Sequence, residues 1–260
     1  MRITVVTGAG MSAESGIPTF RDAPAGLWAR FDPQRLATPE AFEKDPALVW
    51  GWYRWRAALV LLARPNPGHL GLARLEDDGH DVTVVTQNVD DLHERAGSGR
   101  VLHLHGSLFA SRCSQCAAAP AFEPLREYLE AVPAEGAREE PPTCSACGGR
   151  LRPGVVWFGE GLPEGPWRQA QEAVADCDLL LVIGTSNLVY PAAALPLAAL
   201  EAGTPVLEIN PQPTALSAHA NASWRLPASE GVERLATRLH QSAGTENLLL
   251  PGKWKCRARG

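Results

Sequence analysis

The stretch Ile3-Thr-Val-Val-Thr7, running into Gly8-Ala-Gly-Met-Ser-Ala13 and then Glu14-Ser-Gly-Ile-Pro-Thr-Phe-Arg21, decides how the chain is read. A β-branched apolar run of this length predicts a buried strand. The glycines after it permit a tight turn and close approach of backbone to a ligand. The spacing Gly8-x-Gly10-x-x-Ala13 fits a dinucleotide fingerprint, in which Ser12 to Ser15 open a helix whose unpaired N–H groups face a pyrophosphate. A plain turn uses the same glycines, so the stretch alone leaves both readings open.

The next residues depart from a nicotinamide dehydrogenase, whose fold places an acidic residue about twenty positions on, at the end of a second strand, to hold ribose hydroxyls. Residues 22–38 are instead irregular and aromatic. They predict a long loop folded over the glycine turn, and long ordered loops in compact domains are usually functional. A dinucleotide held here is expected to be covered and consumed rather than used for hydride transfer.

Further along, strands and helices alternate. Thr38-Pro-Glu-Ala-Phe42 caps and starts a helix that Asp45-Pro46 restarts and that runs to Leu62, and Pro65-Asn-Pro-Gly68 breaks it. A helix from His69 to Asp77 leads into a strand over Asp81–Thr86, and a third strand covers Val101–Leu104. Then come a helix near Pro166–Asp176, the strongest strand at Leu179–Ile183, a proline-started helix over Pro191–Ala202 and a strand over Pro205–Ile209. This order predicts an α/β fold with a mostly parallel sheet covered by helices on both faces. Residues 132–143, rich in Pro, Glu and Gly, predict a mobile surface loop.

Small and polar residues recur where the predicted strands end: Gly8 to Ser12, Gln87-Asn-Val-Asp90, His105-Gly106, Gly184-Thr-Ser-Asn187 and Asn210. In an open α/β sheet the ligand crevice lies at the carboxyl ends of the strands, so these groups can converge. Each is also an ordinary cap or turn residue, and only their recurrence favours a site.

Cys113-x-x-Cys116 and Cys144-x-x-Cys147 are two knuckles able to place four thiolates around one zinc. Four sulfur ligands leave no open position for water, so the ion is expected to be structural; a redox pair or two disulfides is the competing reading. Cys177 and Cys256 lack such partners and are read as a buried and a tail thiol. The 260 residues, 45% hydrophobic, can bury a sizeable core, and the net charge of −5 argues against nucleic acid or an anionic membrane as partner. Apolar stretches are too short or interrupted to span a bilayer, no signal peptide is recognisable, and the expected compartment is the cytoplasm.

The glycine stretch 8–21, Thr86-Gln-Asn-Val-Asp90, Leu104-His-Gly106, the two cysteine pairs, Gly184-Thr-Ser186 and Ile209-Asn210 occur in the order found in sirtuins, and the resemblance covers residues 1 to about 240. It implies an NAD-dependent protein lysine deacylase with a Rossmann-like large part (1–37, 66–106 and 155–245). The implied small part comprises a helical module (38–65) and a zinc ribbon (107–154), and 246–260 form a tail. Gly8, Ala9, Gly10, Ser12 and Ala13 would cradle NAD phosphates, and Phe20 and Arg21 would reach the nicotinamide end. Gln87, Asn88 and Asp90 match nicotinamide and ribose contacts, Asn88 and Asp90 serving catalysis as well. Gly184, Thr185, Ser186 and Asn210 would hold the adenosine half, with Gln212 and Ala228 completing the set. His105 is the implied general base, whereas His103 reads as structural. The implied products are free lysine, nicotinamide and O-acyl-ADP-ribose, and the implied partners are acyl-lysine peptides, met by a monomer.

Within the family the chain is similar to the branch shared by bacterial enzymes and the mitochondrial desuccinylase. Tyr53 and Arg56, at i and i+3 on one helix, match its Tyr-x-x-Arg, which can bind a terminal carboxylate and so favours succinyl or malonyl over acetyl. Without that resemblance, the stretch bearing Trp50, Trp52 and Trp55 reads as aromatic packing with solvated arginines. Val155-Val-Trp-Phe-Gly-Glu160 is strand-like and in the family pairs with the substrate peptide, implicating Val156, Phe158 and Gly159. Two departures stand out: Gly154, expected to loosen that strand, and Pro211-Gln212 after Asn210, which puts a ribose hydrogen bond in doubt. Mono-ADP-ribosylation and a non-catalytic NAD- or peptide-binding module are the alternatives.

Overall fold

A computed structural model of the chain describes residues 1–18, 32–119, 133 and 136–241. Six strands form one fully parallel sheet: β1 (Arg2–Thr7), β2 (Asp81–Thr86), β3 (Val101–His103), β6 (Leu179–Ile183), β7 (Val206–Ile209) and β8 (Ala222–Trp224). They lie in the order β3-β2-β1-β6-β7-β8. The chain therefore winds outward from β1 in one direction and from β6 in the other, and the switch between them falls at β1/β6, where an α/β sheet opens a crevice at its carboxyl edge. The antiparallel pair β4 (Gly106–Cys113) and β5 (Leu151–Val155) stands apart as a second sheet.

Alternation along the strands assigns side chains to the two faces. Ile3, Val5, Val82, Val84, Leu179, Leu181 and Leu207 pack under α4 (Pro67–Asp77) and α8 (Ala228–Gln241). Val6, Val85, Leu180, Val182 and Val206 pack under α6 (Glu164–Asp176) and α7 (Ala194–Glu201) on the other face. The expected α/β sheet with helices on both faces is thus present.

A third core joins α2 (Pro39–Lys44) and α3 (Pro46–Leu62) to the β4–β5 ribbon through Phe42, Trp52, Tyr53, Trp55, Leu108, Val155 and Trp157. Both helices start as their sequence predicts: Thr38 Oγ1 accepts from the Ala41 N–H (3.1 Å) and Asp45 Oδ1 from the Leu48 N–H (3.1 Å), each with proline at the first helical position. Two four-residue helices, α1 (Pro33–Leu36) and α5 (Leu92–Arg95), complete the set among the described residues.

Several expectations need correction. Residues 9–15 form two short 3-10 turns, Ala9–Met11 and Ala13–Ser15, in place of the expected α-helix from Ser12, because Gly16 turns the chain into the left-handed region (φ 79°) before Pro18. The helix expected at His69 begins at Pro67, where Asn66 Oδ1 accepts from the Gly68 and His69 N–H groups. The helix expected from Pro191 begins at Ala194, since i→i−3 bonds from Ala194 to Pro191 and Leu195 to Ala192 hold a tighter turn first. The described part of the loop 132–143 is docked: Arg138 pairs with Asp45, the Glu139 N–H donates to Ala47 O, and its carboxylate meets the buried Arg54 guanidinium. Gly154 lets two strands meet, since a Cβ there would lie 2.6 Å from Ala110 Cβ. β8 and α8 lie beyond anything read from the sequence. Among the described residues no helix is long and apolar enough to cross a membrane.

Candidate active site

The parallel sheet brings the carboxyl ends of its strands to one edge, and hydrogen bonds link the polar groups there. His105, two residues past β3, directs Nδ1 at Gln87 O (2.9 Å). The Gln87 side-chain amide, past β2, donates to Thr185 Oγ1 (3.1 Å). Thr185, past β6, accepts at its carbonyl from the Asn210 amide (2.9 Å), past β7. At β1 the Asn88 amide donates to Ser12 Oγ (3.1 Å), which donates to Asp90 Oδ2 (2.9 Å). Ser12, Asn88, Asp90 and Thr185 are buried.

The glycine turn is built against the β6 turn. The Gly10 N–H donates to Gly184 O (2.8 Å), and a Cβ on Gly8 would sit 2.7 Å from Thr185 Cβ. Gly184 has φ 63°, and a Cβ there would lie 2.3 Å from Met11 N. These glycines are required by the contact between two turns before any ligand is considered. Of the other expected cofactor residues, Ala9 and Ser186 lie at the same edge, half-buried, and Ala13 is exposed. Gln212 is exposed, its N–H donating to Asn210 Oδ1 (3.3 Å). The Ala228 methyl belongs to the core with Met11 and Leu72. Phe20 and Arg21 lie outside the described residues.

Electrostatics separates the titratable groups. The carbonyl of Gln87 can only accept, so His105 carries its proton on Nδ1 and Nε2 has the lone pair. Nε2 makes no hydrogen bond among the described residues, and burial holds the ring below the ordinary histidine value, hence neutral near pH 7. Burial raises the Asp90 carboxyl, against hydrogen bonds from the Leu92 N–H and Ser12. His103 differs: Nδ1 faces Asn88 O (3.1 Å) and Nε2 faces Glu94 (2.6 Å), so both nitrogens donate and the ring is held charged, burial being outweighed by Glu94, which raises its pKa. This fits the structural role expected for it. Sequence reading missed the pair beneath the glycine turn, His69 and His93, whose buried rings meet edge to face at 4.7 Å. His69 Nδ1 accepts from the Asn66 N–H (3.3 Å) and Asn66 holds Met11 O (2.8 Å), so this pair supports the turn from below.

On the ribbon side, Val156 donates its N–H to His105 O (2.9 Å) and Phe158 to Ala37 O (3.0 Å), while Phe158 and Gly159 are exposed. The segment expected to be strand-like leaves the strand at Val155 and turns, because Glu160 folds back to accept from the Trp157 N–H (2.8 Å) and from Arg152 and Arg112. Tyr53 is buried, and its oxygen accepts from the Trp157 indole N–H (2.9 Å). Arg56 lies half-buried one turn along; burial lowers its pKa, and Tyr53 and Asp90 are close enough to oppose that shift.

The four cysteine sulfurs lie within 4.8 Å of one another, with Cys113 to Cys147 at 3.5 Å and Cys116 to Cys144 at 3.8 Å. A zinc with four thiolates at about 2.3 Å spaces them by roughly 3.8 Å, so this donor set fits a structural zinc. The Gln115 and Gly149 N–H groups point at Cys113 and Cys147 sulfurs (3.3 and 3.4 Å), as thiolates require.

A sequence profile of the Sir2 family matches residues 8–191. The chain belongs to the Sir2 family. It is 61% identical over 212 residues to the NAD-dependent protein deacylase 1 of Pseudomonas aeruginosa, covering 82% of this chain and 84% of that one. It is 53% identical to the NAD-dependent protein deacylase of Mycobacterium tuberculosis, covering 92% and 98%. Among solved structures it resembles a Sir2 homologue bound to NAD (TM-score 0.82, 45% identity, 92% of this chain and 89% of that one). It also resembles a Sir2 protein with a p53 peptide and NAD+ (TM-score 0.77, 31% identity, 92% and 94%).

Proposed function

We propose that this protein removes acyl groups from protein lysines with NAD as co-substrate, favouring acidic acyl groups such as succinyl and malonyl and also accepting acetyl. The chain is an NAD-dependent protein deacylase by family and by relatives that carry that name. The observation that carries the mechanistic reading is the hydrogen-bonded row of strand ends, which terminates in one neutral imidazole with a free lone pair.

The residues present fit NAD: two glycine-bearing turns at the switch point, flanked by the buried donors and acceptors of Ser12, Asn88, Asp90 and Thr185. Gly8 to Ala13 would hold the phosphates, Gln87, Asn88 and Asp90 the nicotinamide ribose, and Gly184 to Ser186 with Asn210 the adenosine half. When bound, NAD supplies a ribose carbon that exchanges nicotinamide for the acyl oxygen. His105 supports the later proton transfer: Gln87 fixes its tautomer, so Nε2 can take a proton from a ribose hydroxyl, and burial keeps the ring neutral for that task. Asp90, locked by Ser12, orients the groups beside it. Val156, Phe158 and Gly159 lie along the stretch where an extended peptide would add its backbone.

The acyl preference rests on Tyr53 and Arg56. A guanidinium and a phenol on one helix face can give a terminal carboxylate three hydrogen bonds, which an acetyl group cannot use. Residues 1–245 act as one catalytic unit, a monomer in the reducing cytoplasm where four thiolates keep their metal.

Purified protein is incubated with NAD and peptides bearing acetyl-, succinyl-, malonyl- or glutaryl-lysine, and O-acyl-ADP-ribose is followed by mass. The expected result is faster turnover of the acidic acyl groups and selective loss of it in Arg56→Met. Acetyl-lysine turning over best, with succinyl turnover unchanged in Arg56→Met, refutes the preference.

A further inference from the structure

Trp157 lies 104 positions from Tyr53 in sequence, yet its indole N–H points at the Tyr53 oxygen across 2.9 Å in a buried contact. Two neighbours hold the ring. The Arg152 guanidinium sits 3.3 Å from its centroid, and Phe42 packs on it at 5.4 Å. Arg152 is held by two bonds to Glu160 (2.6 and 3.0 Å) and one to Val155 O (3.1 Å), while Glu160 accepts the Trp157 backbone N–H. The indole therefore has little freedom to turn.

The indole is a donor only, so the tyrosine oxygen must use a lone pair on it. The phenol proton is left over, and among the described residues nothing accepts it, although Tyr53 is only 5% exposed. A buried hydroxyl without an acceptor costs free energy until a ligand supplies one. The neighbouring Arg56 has donors alone and cannot take that proton, so the acceptor has to come with the substrate, as a carboxylate does.

We propose that Trp157 is a specificity-determining positioning residue: by occupying a lone pair of the Tyr53 oxygen it aims the phenol proton at the terminal carboxylate of an acidic acyl-lysine. This deepens the proposed acidic-acyl preference and rests on it. Trp157 acts through Tyr53.

The test compares kcat/KM for succinyl-lysine and acetyl-lysine forms of one peptide, whose ratio cancels any general loss of folded enzyme. Trp157→Phe is expected to lower the ratio about five-fold, the scale of one neutral hydrogen bond, with the loss in KM for the succinyl peptide. In Tyr53→Phe, Trp157→Phe should change the ratio no further. A benzothienylalanine at position 157, which keeps the ring's shape and removes the N–H, should reproduce Trp157→Phe. If Trp157→Phe affects both acyl groups equally, or its effect adds in full to Tyr53→Phe, the proposal is overturned. When that occurs while Arg56→Met still abolishes the succinyl preference, only the positioning role falls. If the wild-type protein shows no succinyl preference and Arg56→Met leaves the ratio alone, the acidic-acyl reading falls first and takes this one with it.

Discussion

Replacing Gly184 by alanine tests whether the site is built on contact between the two glycine-bearing turns. Gly184 has φ 63°, where an L-residue carries a strain of about 1–2 kcal/mol. Its Cβ would also meet backbone: Met11 N at 2.3 Å, Gly10 C at 2.5 Å and Gly10 Cα at 2.8 Å. Restoring ordinary contact moves one turn by about 1 Å and breaks the Gly10 N–H to Gly184 O bond, adding about 1–3 kcal/mol for a buried pair left unmade. Gly16 is the control. It has the same sign of φ (79°), but a Cβ there meets nothing within 4 Å, so Gly16→Ala carries the strain alone. Urea unfolding is expected to show Gly184→Ala less stable than Gly16→Ala by about 1–3 kcal/mol with an unchanged slope. Deacylation by Gly184→Ala should fall by about 100-fold through misplacement of the turn, more than by Gly16→Ala. Equal costs for the two variants would mean that backbone conformation alone demands glycine at 184, and the turn-to-turn account would be refuted.

The site leads to three more expected outcomes. His105→Gln should lower turnover by about 10²–10⁴-fold, and the wild-type rate should fall on acidification through a midpoint below about 6.5, as the imidazole held down by burial gains its proton; an acid limb unchanged in the residual activity of His105→Gln would assign it elsewhere. Metal analysis should find one zinc per chain, and a chelator or Cys144→Ser should open the ribbon to trypsin at Arg112 and Arg150, because among the described residues the knuckles bury a small apolar cluster of Cys113, Cys144 and Leu151; full protection without metal would contradict this. His69 is held near 4 by burial, below its unfolded value, so it destabilises the fold as pH falls from about 6.5 towards 4, by up to about 3 kcal/mol. His69→Gln, which can still accept from the Asn66 N–H, should flatten that limb of a denaturation series, and an unchanged limb would refute the assignment.

The sequence discloses local structure and conceals contact at long range. The strands β1, β2 and β6 are legible because each is a run of β-branched or aliphatic residues buried on both faces, and the caps Thr38 and Asp45 because one side chain and one proline suffice to start a helix. Clustering of polar residues after Thr7, Thr86, Ile183 and Ile209 is legible for the same reason, once the strands are taken as parallel. The glycine turn misleads: its spacing suggests a helix, but Gly16 and Pro18 stop one, and the packing that selects Gly10 comes from Gly184, far along the chain. β8 has only Ala222, Ser223 and Trp224 and no alternation to detect, whereas α8 did carry a signal in Ala228, Val232 and Leu235 at i, i+4 and i+7. The loop over 136–143 looks mobile by composition, yet the buried Arg54 guanidinium requires a carboxylate, and Glu139 supplies it. The Tyr53–Trp157 contact is of the same kind. Tyr-x-x-Arg can be read along one helix, but the indole N–H that meets the Tyr53 oxygen comes from Trp157, 104 positions away and just past β5, so that contact depends on how α3 packs against the β4–β5 pair.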